Sequence, residues 1–380
     1  MVEKRDSAKK NVLYLQIILK KDTCACWPIV SSFILLIMNN FEILPPIHCE
    51  TGTVRNILHY FGVDYSEAMI FGLGAGMDFG APRFVKFSGI RVIACRCWQG
   101  TIMTTFFKRI GAKVCYKRYP LLNKGKAMRD MDALLEKGIP VGILTEVSSL
   151  SFIEAEQRFF FNGHSVLVAG KQGDDYLVMD NFEPREVFKT ISRQDLMKSR
   201  FNIHIPPICG NIYYLKKAPQ QQVDLREAIV KSIRKVCWKM LHHPLSFEGI
   251  RAMRSMADVV RAYREKELND HARKFFIHIY RMLEIGSGGA GYRFLYADFL
   301  DEAAPILQCD ELKEAANMLR DVCSDWRVVA LSSAHLATRQ VDADTRRTEV
   351  DAIADHFLIA ADKETEVFTK LENCMKRMSI

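Results

Sequence analysis

The sequence has no dense Lys/Arg block, no paired metal-spaced cysteines, no apolar run of bilayer length and no internal repeat. Each absence removes a class of function. The net charge is +8, of which the first 40 residues supply +3, from six Lys/Arg against three acids. The remaining +5 is spread thinly, so nothing tracks a phosphate backbone and no nucleic-acid partner is expected. A mildly basic surface suits an acidic protein partner, and a solvated surface accounts for it equally well. The eleven cysteines are odd in number and follow no framework spacing. Cys24-Ala25-Cys26 and Cys95-Arg96-Cys97 have no second pair at zinc-site distance, so no metal is expected. Cys115, Cys237 and Cys323 fall in apolar patterns and read as buried reduced thiols, which implies a cytoplasmic setting.

The apolar stretch Trp27–Met38 follows Lys20-Lys21, as in a short signal or anchor. Its twelve residues are too few to span a bilayer, and no small-residue cleavage site follows. The expectation is a start at Met38, with residues 1–40 a dispensable extension. The oligomeric state is not written in the sequence.

What is present begins just after. From Cys49 to Phe61, Val54, Ile57, Leu58 and Phe61 recur at helical spacing, and Gly62 follows as a stop. Ser66-Glu67-Ala68-Met69 begins a second short helical turn. The glycines of Phe71-Gly72-Leu73-Gly74-Ala75-Gly76-Met77 have no preceding strand and no following Gly-Lys-Ser/Thr. They therefore predict a tight loop near the thiol rather than a phosphate loop. Strand-like runs at 90–97 and 112–119 flank a helix at 101–110, and a helix over 126–137 precedes a buried strand at 140–145. Ser165–Lys171 and Tyr176–Phe182 read as a hairpin turning at Gln172-Gly173-Asp174-Asp175. A last strand over 211–217 leads into a polar linker, Ala218-Pro219-Gln220-Gln221-Gln222. Beyond it Leu225, Ile229, Ile233, Val236 and Met240 keep helical period, as do most later segments to Met378. The expected architecture is α+β: a papain-like cysteine-peptidase-type domain over 41–218, then an all-helical domain over 222–380.

Three residues carry the chemical expectation. Cys49 stands where a helix should begin, His164 opens a strand after Gly163, and Asp180 ends the neighbouring strand. A thiolate is the effective nucleophile, and a helix N-terminus with an imidazolium beside it favours the thiolate. On an antiparallel hairpin, His164 and Asp180 can lie side by side, with Asp180 fixing the imidazole tautomer. Asn181 is the rival for that role. His48 is a second candidate base, but a side chain adjacent to Cys49 in sequence is expected to point elsewhere, in a supporting or binding role. Arg293, beside the cluster Gly286-Ser287-Gly288-Gly289-Ala290-Gly291, is a candidate contact for a phosphate or carboxylate. The alternative is an ordinary interhelical turn with a structural salt bridge.

The motif His48-Cys49-Glu50-Thr51-Gly52, with Asn56–Gly62 and Ser66–Gly76, resembles the N-terminal domain of the butirosin biosynthesis protein H family. Gly249–Met253, Gly286–Arg293 and Tyr296–Leu300 resemble the helical domain that follows it. The hairpin carrying Gly163-His164 and Asp180 is also similar to the bacteriocin-processing peptidases of the papain-like superfamily. The resemblance implies an acyltransferase of antibiotic biosynthesis. It would take an acyl group from an acyl carrier protein's pantetheine thioester and form an amide on a small-molecule amine, an aminoglycoside in the family's best-known member. It further implies Cys49 as nucleophile, His164 as base and Asp180 as orienting acid, with no metal or ATP and phosphopantetheine arriving on the donor. Papain-like peptidases place a glutamine a few residues before the cysteine for the oxyanion hole, whereas residues 42–47 here are Glu-Ile-Leu-Pro-Pro-Ile. The second oxyanion donor is therefore not named by the sequence. Two other readings stand beside transfer: a cysteine peptidase or amidase using the same triad, and a non-catalytic binding protein.

Overall fold

Val54, Ile57 and Leu58, three residues at helical spacing, are all fully buried on the inner face of α1 (Cys49–Tyr60). Gly62, at φ +73°, turns the chain away just past its end. The computed structural model describes residues 43–87, 89–181, 188–202, 208–217 and 223–378. The expected extension, the start at Met38 and the 218–222 linker lie outside the described residues.

Ser66 caps α2 (Glu67–Leu73), its Oγ accepting from the Met69 N–H at 2.9 Å. The sequence expectation of a loop from Phe71 is corrected here, because Phe71-Gly72-Leu73 complete the helix and only Gly74-Ala75-Gly76 turn. Glycine is required at 72 by contact rather than by a turn: a Cβ there would fall inside the ring of Phe299. Next come β1 (Met77–Gly80), a two-residue ribbon of β2 (Lys86–Phe87) and β3 (Ile90–Arg91), and β4 (Ala94–Arg96), which pairs with β1.

The main sheet has six antiparallel strands in the order β5-β10-β6-β7-β8-β9. They are β5 (Lys113–Lys117), β6 (Val141–Glu146), β7 (Asn162–Gln172), β8 (Asp175–Met179), β9 (Lys189–Ser192) and β10 (Ile212–Lys217). Between them run α3 (Thr101–Arg109), α4 (Lys124–Leu135) and α5 (Arg193–Arg200). Strand alternation sorts the faces. Val141, Ile143, Val166, Val168 and Ile212 bury one face with Met128, Met131 and Leu196 of α4 and α5. Ser165 and Tyr213 point to the other face, where their hydroxyls bond at 2.6 Å and α1 packs against β7. The helix bearing the cysteine thus packs on the sheet bearing the histidine.

The remainder is helical, as its periodicity predicts. It comprises α6 (Leu225–Cys237), extended by a π turn over Trp238–His242, then α7 (Gly249–Arg261), α8 (Asp270–Glu284), α9 (Arg293–Leu307), α10 (Glu311–Thr338) and α11 (Ala343–Arg377). The described residues from Ile43 onward cluster as one compact unit. Apolar contacts cross between the sheet half and the helical half. Phe79 of β1 stacks on Trp326 at 5.7 Å and meets Phe357 edge-on at 6.3 Å. Burying a phenylalanine side chain of this kind contributes about 1.5–3 kcal/mol. Polar contacts cross too. Lys239 Nζ donates to Ala75 O at 2.9 Å and Met77 O at 2.7 Å and pairs with Asp78 at 2.9 Å. Ser232 donates to Gly72 O.

Candidate active site

Cys49 is the first residue of α1, and its side chain is almost enclosed, the residue being 8% exposed. At this position the backbone N–H has no intrahelical acceptor, and the helix end carries roughly half a positive charge. Glu67 holds the approach to that end. Its Oε1 accepts from the Ile47 N–H at 2.8 Å, and its Oε2 accepts from the His48 N–H at 3.0 Å and from Thr51 Oγ1 at 2.7 Å. Glu50, also buried, pairs with Arg96 at 2.8 Å and accepts from the Met103 N–H at 3.0 Å. These carboxylates fix the helix start between α2 and α3.

His164 lies on β7 and is buried. Gly163 before it takes φ +93°, a conformation that disfavours a side chain, and packs directly on Gln99. A bulge opposite, between Thr145 and Glu146, bends the pairing at the same place. The register pairs Leu167 with Met179, so Asp180 sits diagonal to His164 rather than directly opposite. His164 Nε2–H donates to Asp180 Oδ2 at 2.5 Å, which leaves Nδ1 as the ring nitrogen that can face the sulfur. Burial alone would push the Cys49 thiol up. The His48 charge, with the hydrogen bond and charge of His164, outweighs it, holding the thiol well below its usual range. Burial would likewise lower His164, but the Asp180 charge and hydrogen bond, with those of Cys49, raise it to about 10. Both shifts favour the thiolate–imidazolium form of the pair.

Cys49, His164 and Asp180 therefore converge. The other sequence candidates divide. His48 was expected to point elsewhere, and the structure places its ring beside the thiol instead. The cause is local: the extended backbone of an N-cap residue (φ −124°, ψ 139°) turns the ring over the first helical turn, where the Thr51 N–H donates to its Nδ1 at 3.4 Å. Asn181 does not orient the imidazole in this geometry, because Asp180 does; its Nδ2 donates to Ile47 O at 3.4 Å. Arg293 is corrected outright as a contact for a soluble anion. It is fully buried, with Nε and Nη2 on Glu364 at 2.8 and 3.1 Å, Nη1 on Gly291 O at 2.8 Å and its Cζ 4.6 Å from the Trp326 ring centroid. The structural salt bridge is what the structure holds there.

Sequence reasoning missed Glu67, which is distant from Cys49 in sequence and read only as part of a short helical turn. It also missed Tyr292. The glycine cluster brings this residue, at φ +72°, onto the first half, where its ring stacks on Phe71 at 5.4 Å and meets His48 edge-on at 5.0 Å. Among the described residues, one group has metal-ligand spacing: Cys309, Glu311 and Cys374, whose donor atoms lie within 4.8 Å of one another. It sits on α10, α11 and the turn before α10, and Glu311 also pairs with Arg377. No helix among the described residues is long and apolar enough to cross a membrane.

An α-helix opening on a cysteine, packed on an antiparallel sheet that carries a histidine and an aspartate, defines the papain-like class of cysteine enzymes. Residues 48–181 match the family described as "Butirosin biosynthesis protein H, N-terminal", and residues 194–371 match a domain of unknown function (DUF4872). The first of these matches assigns residues 48–181 to the butirosin biosynthesis protein H family. No curated protein matches it by sequence. A solved structure described as a C39-like peptidase from Bacillus anthracis is similar at TM-score 0.33 and 13% identity, over 48% of this chain and 98% of that one.

Proposed function

We propose that the chain is a cysteine-dependent acyltransferase that moves an acyl group from a carrier-protein pantetheine thioester, through Cys49, onto an amine, in antibiotic biosynthesis. The observation that carries this reading is the convergence of a nearly enclosed, acidified thiol with the His164–Asp180 pair. In the first step the Cys49 thiolate attacks the thioester carbonyl carbon, forming a C–S bond. The C–S bond to pantetheine breaks, and the departing thiolate takes its proton from the His164 imidazolium. In the second step His164 accepts a proton from the attacking amine, the C–N bond forms, and Cys49 leaves as thiolate. Asp180 holds the ring through both steps. Exchange between thioesters is nearly thermoneutral, and amide formation runs downhill from it.

Transfer rather than hydrolysis is supported by the cover over the thiol. Gly288 packs against Ile47, and Tyr292 against His48, so the glycine cluster of the helical half closes on the residues beside Cys49. Restricting water is what lets an amine compete for the acyl-enzyme. The test is intact-protein mass after mixing the full chain with acyl-pantetheine thioesters, beside Cys49→Ala. A mass gain confined to the wild type, discharged faster by an added amine than by water, is the expected result. Discharge by water alone would make the protein a hydrolase. No adduct from a folded protein whose Cys49 also resists iodoacetamide at neutral pH would overturn the nucleophile.

A further inference from the structure

The site has an unexplained polar atom. His48 is fully buried, and its Nε2 has no hydrogen-bond partner. A buried polar atom left alone is costly and rare enough to need a reason. The other ring nitrogen is accounted for: Nδ1 faces the Thr51 N–H at 3.4 Å and Thr51 Oγ1 at 3.1 Å. Thr51 Oγ1 commits its own hydrogen to Glu67 Oε2 at 2.7 Å, so toward the ring it can only accept. Two states of the imidazole satisfy these neighbours. In the neutral one Nδ1 accepts from the Thr51 N–H, and the ring hydrogen is on Nε2. In the cation both nitrogens carry hydrogen, and Nδ1–H donates to Thr51 Oγ1. The third state, with hydrogen on Nδ1 alone, aims the Thr51 N–H at another N–H. Both acceptable states present an Nε2–H donor with nothing to receive it.

That donor is beside the nucleophile: His48 directly precedes Cys49, and its charge reaches the sulfur and lowers the thiol. It is also held still. Tyr292 meets the ring edge-on at 78° and 5.0 Å, and Phe71 meets it at 89° and 6.3 Å. The residues just before Cys49, 42–47, include no glutamine to complete an oxyanion hole.

We propose that His48 Nε2–H, together with the Cys49 backbone N–H, forms the oxyanion hole of this enzyme. As the Cys49 thiolate pair forms the bond to the carbonyl carbon, the carbonyl π pair moves onto oxygen and receives these two hydrogen bonds. Collapse returns the pair, reforms C=O and expels the leaving group. A donor fixed in place before the charge develops needs no reorganisation when it does. The inference extends the acyl-transfer reading, but its chemistry requires only that Cys49 attacks a carbonyl.

The test therefore uses p-nitrophenyl acetate, which needs no carrier, on the full chain, with iodoacetamide as a probe that forms no oxyanion. His48→Asn can keep the helix cap through its short amide but does not reach the Nε2 position. His48→Gln places an amide N–H near that position without the charge. Rates are compared on their pH plateaus, so any effect on thiol acidity is removed. The expected result for His48→Asn is an acetylation plateau lower by about 10²–10³-fold, with its iodoacetamide plateau within about threefold of wild type. His48→Gln should recover at least about tenfold of the loss. Acetylation by His48→Asn within about threefold of wild type would overturn the proposal. So would a His48→Asn variant in which both plateaus fall in parallel, since that reports a displaced thiol. If His48→Asn does not fold, His48→Gln alone decides: a drop of more than about 100-fold in acetylation at unchanged alkylation plateau would overturn a role that an uncharged N–H can fill. Failure of pantetheine thioesters to acylate the wild type would refute the transferase reading while leaving this comparison intact.

Discussion

Replacing Glu67 by glutamine removes a charge and one acceptor from a cradle of three donors, the Ile47 N–H, the His48 N–H and Thr51 Oγ1. In the better of its two orientations the amide oxygen takes the place of Oε2 and keeps His48 and Thr51. Its NH2 group then faces the Ile47 N–H. At least one hydrogen bond to a buried carboxylate is lost, worth about 1.5–3 kcal/mol, and a donor–donor contact replaces it. Glu67→Gln should therefore lose on the order of 2–4 kcal/mol of stability, read as a lower urea midpoint. The same atoms hold the backbone that carries His48 and Cys49, so a small displacement there is felt in the chemistry. Acetylation of Cys49 should slow by about 10–100-fold, the scale on which a misplaced catalytic group costs rate. Folded protein, p-nitrophenyl acetate and a urea titration are sufficient. A variant within twofold of wild type in both rate and midpoint would refute the reasoning, because the carboxylate would then be spending its oxygens on water rather than on the loop.

Asp180→Asn removes the charge that raises His164 and admits the wrong tautomer, and Cys49 acetylation should fall by up to about 10⁴-fold, measured as the burst rate. The pH profile follows from the same pair. Cys49 should alkylate with iodoacetamide well below pH 9, and thioester transfer should decline near pH 10 as His164 loses its proton; an alkylation rate that keeps rising through pH 9 like a free thiol contradicts this. Glu364→Ala strands the buried Arg293 guanidinium and the Trp326 indole N–H, and urea unfolding should show a loss of about 3–5 kcal/mol. Gly72→Val should fail to accumulate as soluble protein, because its side chain would occupy the ring of Phe299.

Cys49, His164 and Asp180 were legible because each sits at an element boundary with a local signature. Cys49 precedes a helical period, His164 follows a glycine before an apolar strand, and Asp180 closes its hairpin neighbour. The helical segments after Leu225 were legible by period alone. The supports of the site were not, because they are made between segments far apart in sequence. Glu67 reaches back to Ile47 and His48, and Tyr292 arrives from the helical half on a positive φ that no pattern announces. Gly72 misled for a related reason: its glycine answers to Phe299 on a distant helix, whereas the sequence shows only its glycine-rich neighbours. The strand β9 and helix α5 passed unnoticed because both are short, and β1 because its Phe79 packs on Trp326 rather than on a strand neighbour.

Lys239 bears on how chains of this kind can be inherited. Its ammonium sits among Ala75 O, Met77 O and the Asp78 carboxylate, acceptors that belong to the other half of the molecule. A recombination event that cut between Lys217 and Val223 and joined the first half to a foreign helical half would leave those three oxygens bare unless a cation arrived at the same place. The reciprocal product would carry an ammonium into a pocket with no anion. Both offspring begin life with a buried ionic defect, so exchange of helical halves between lineages is filtered at the level of folding, before any question of substrate. A substitution at position 239 should accordingly call for a matching one at position 78.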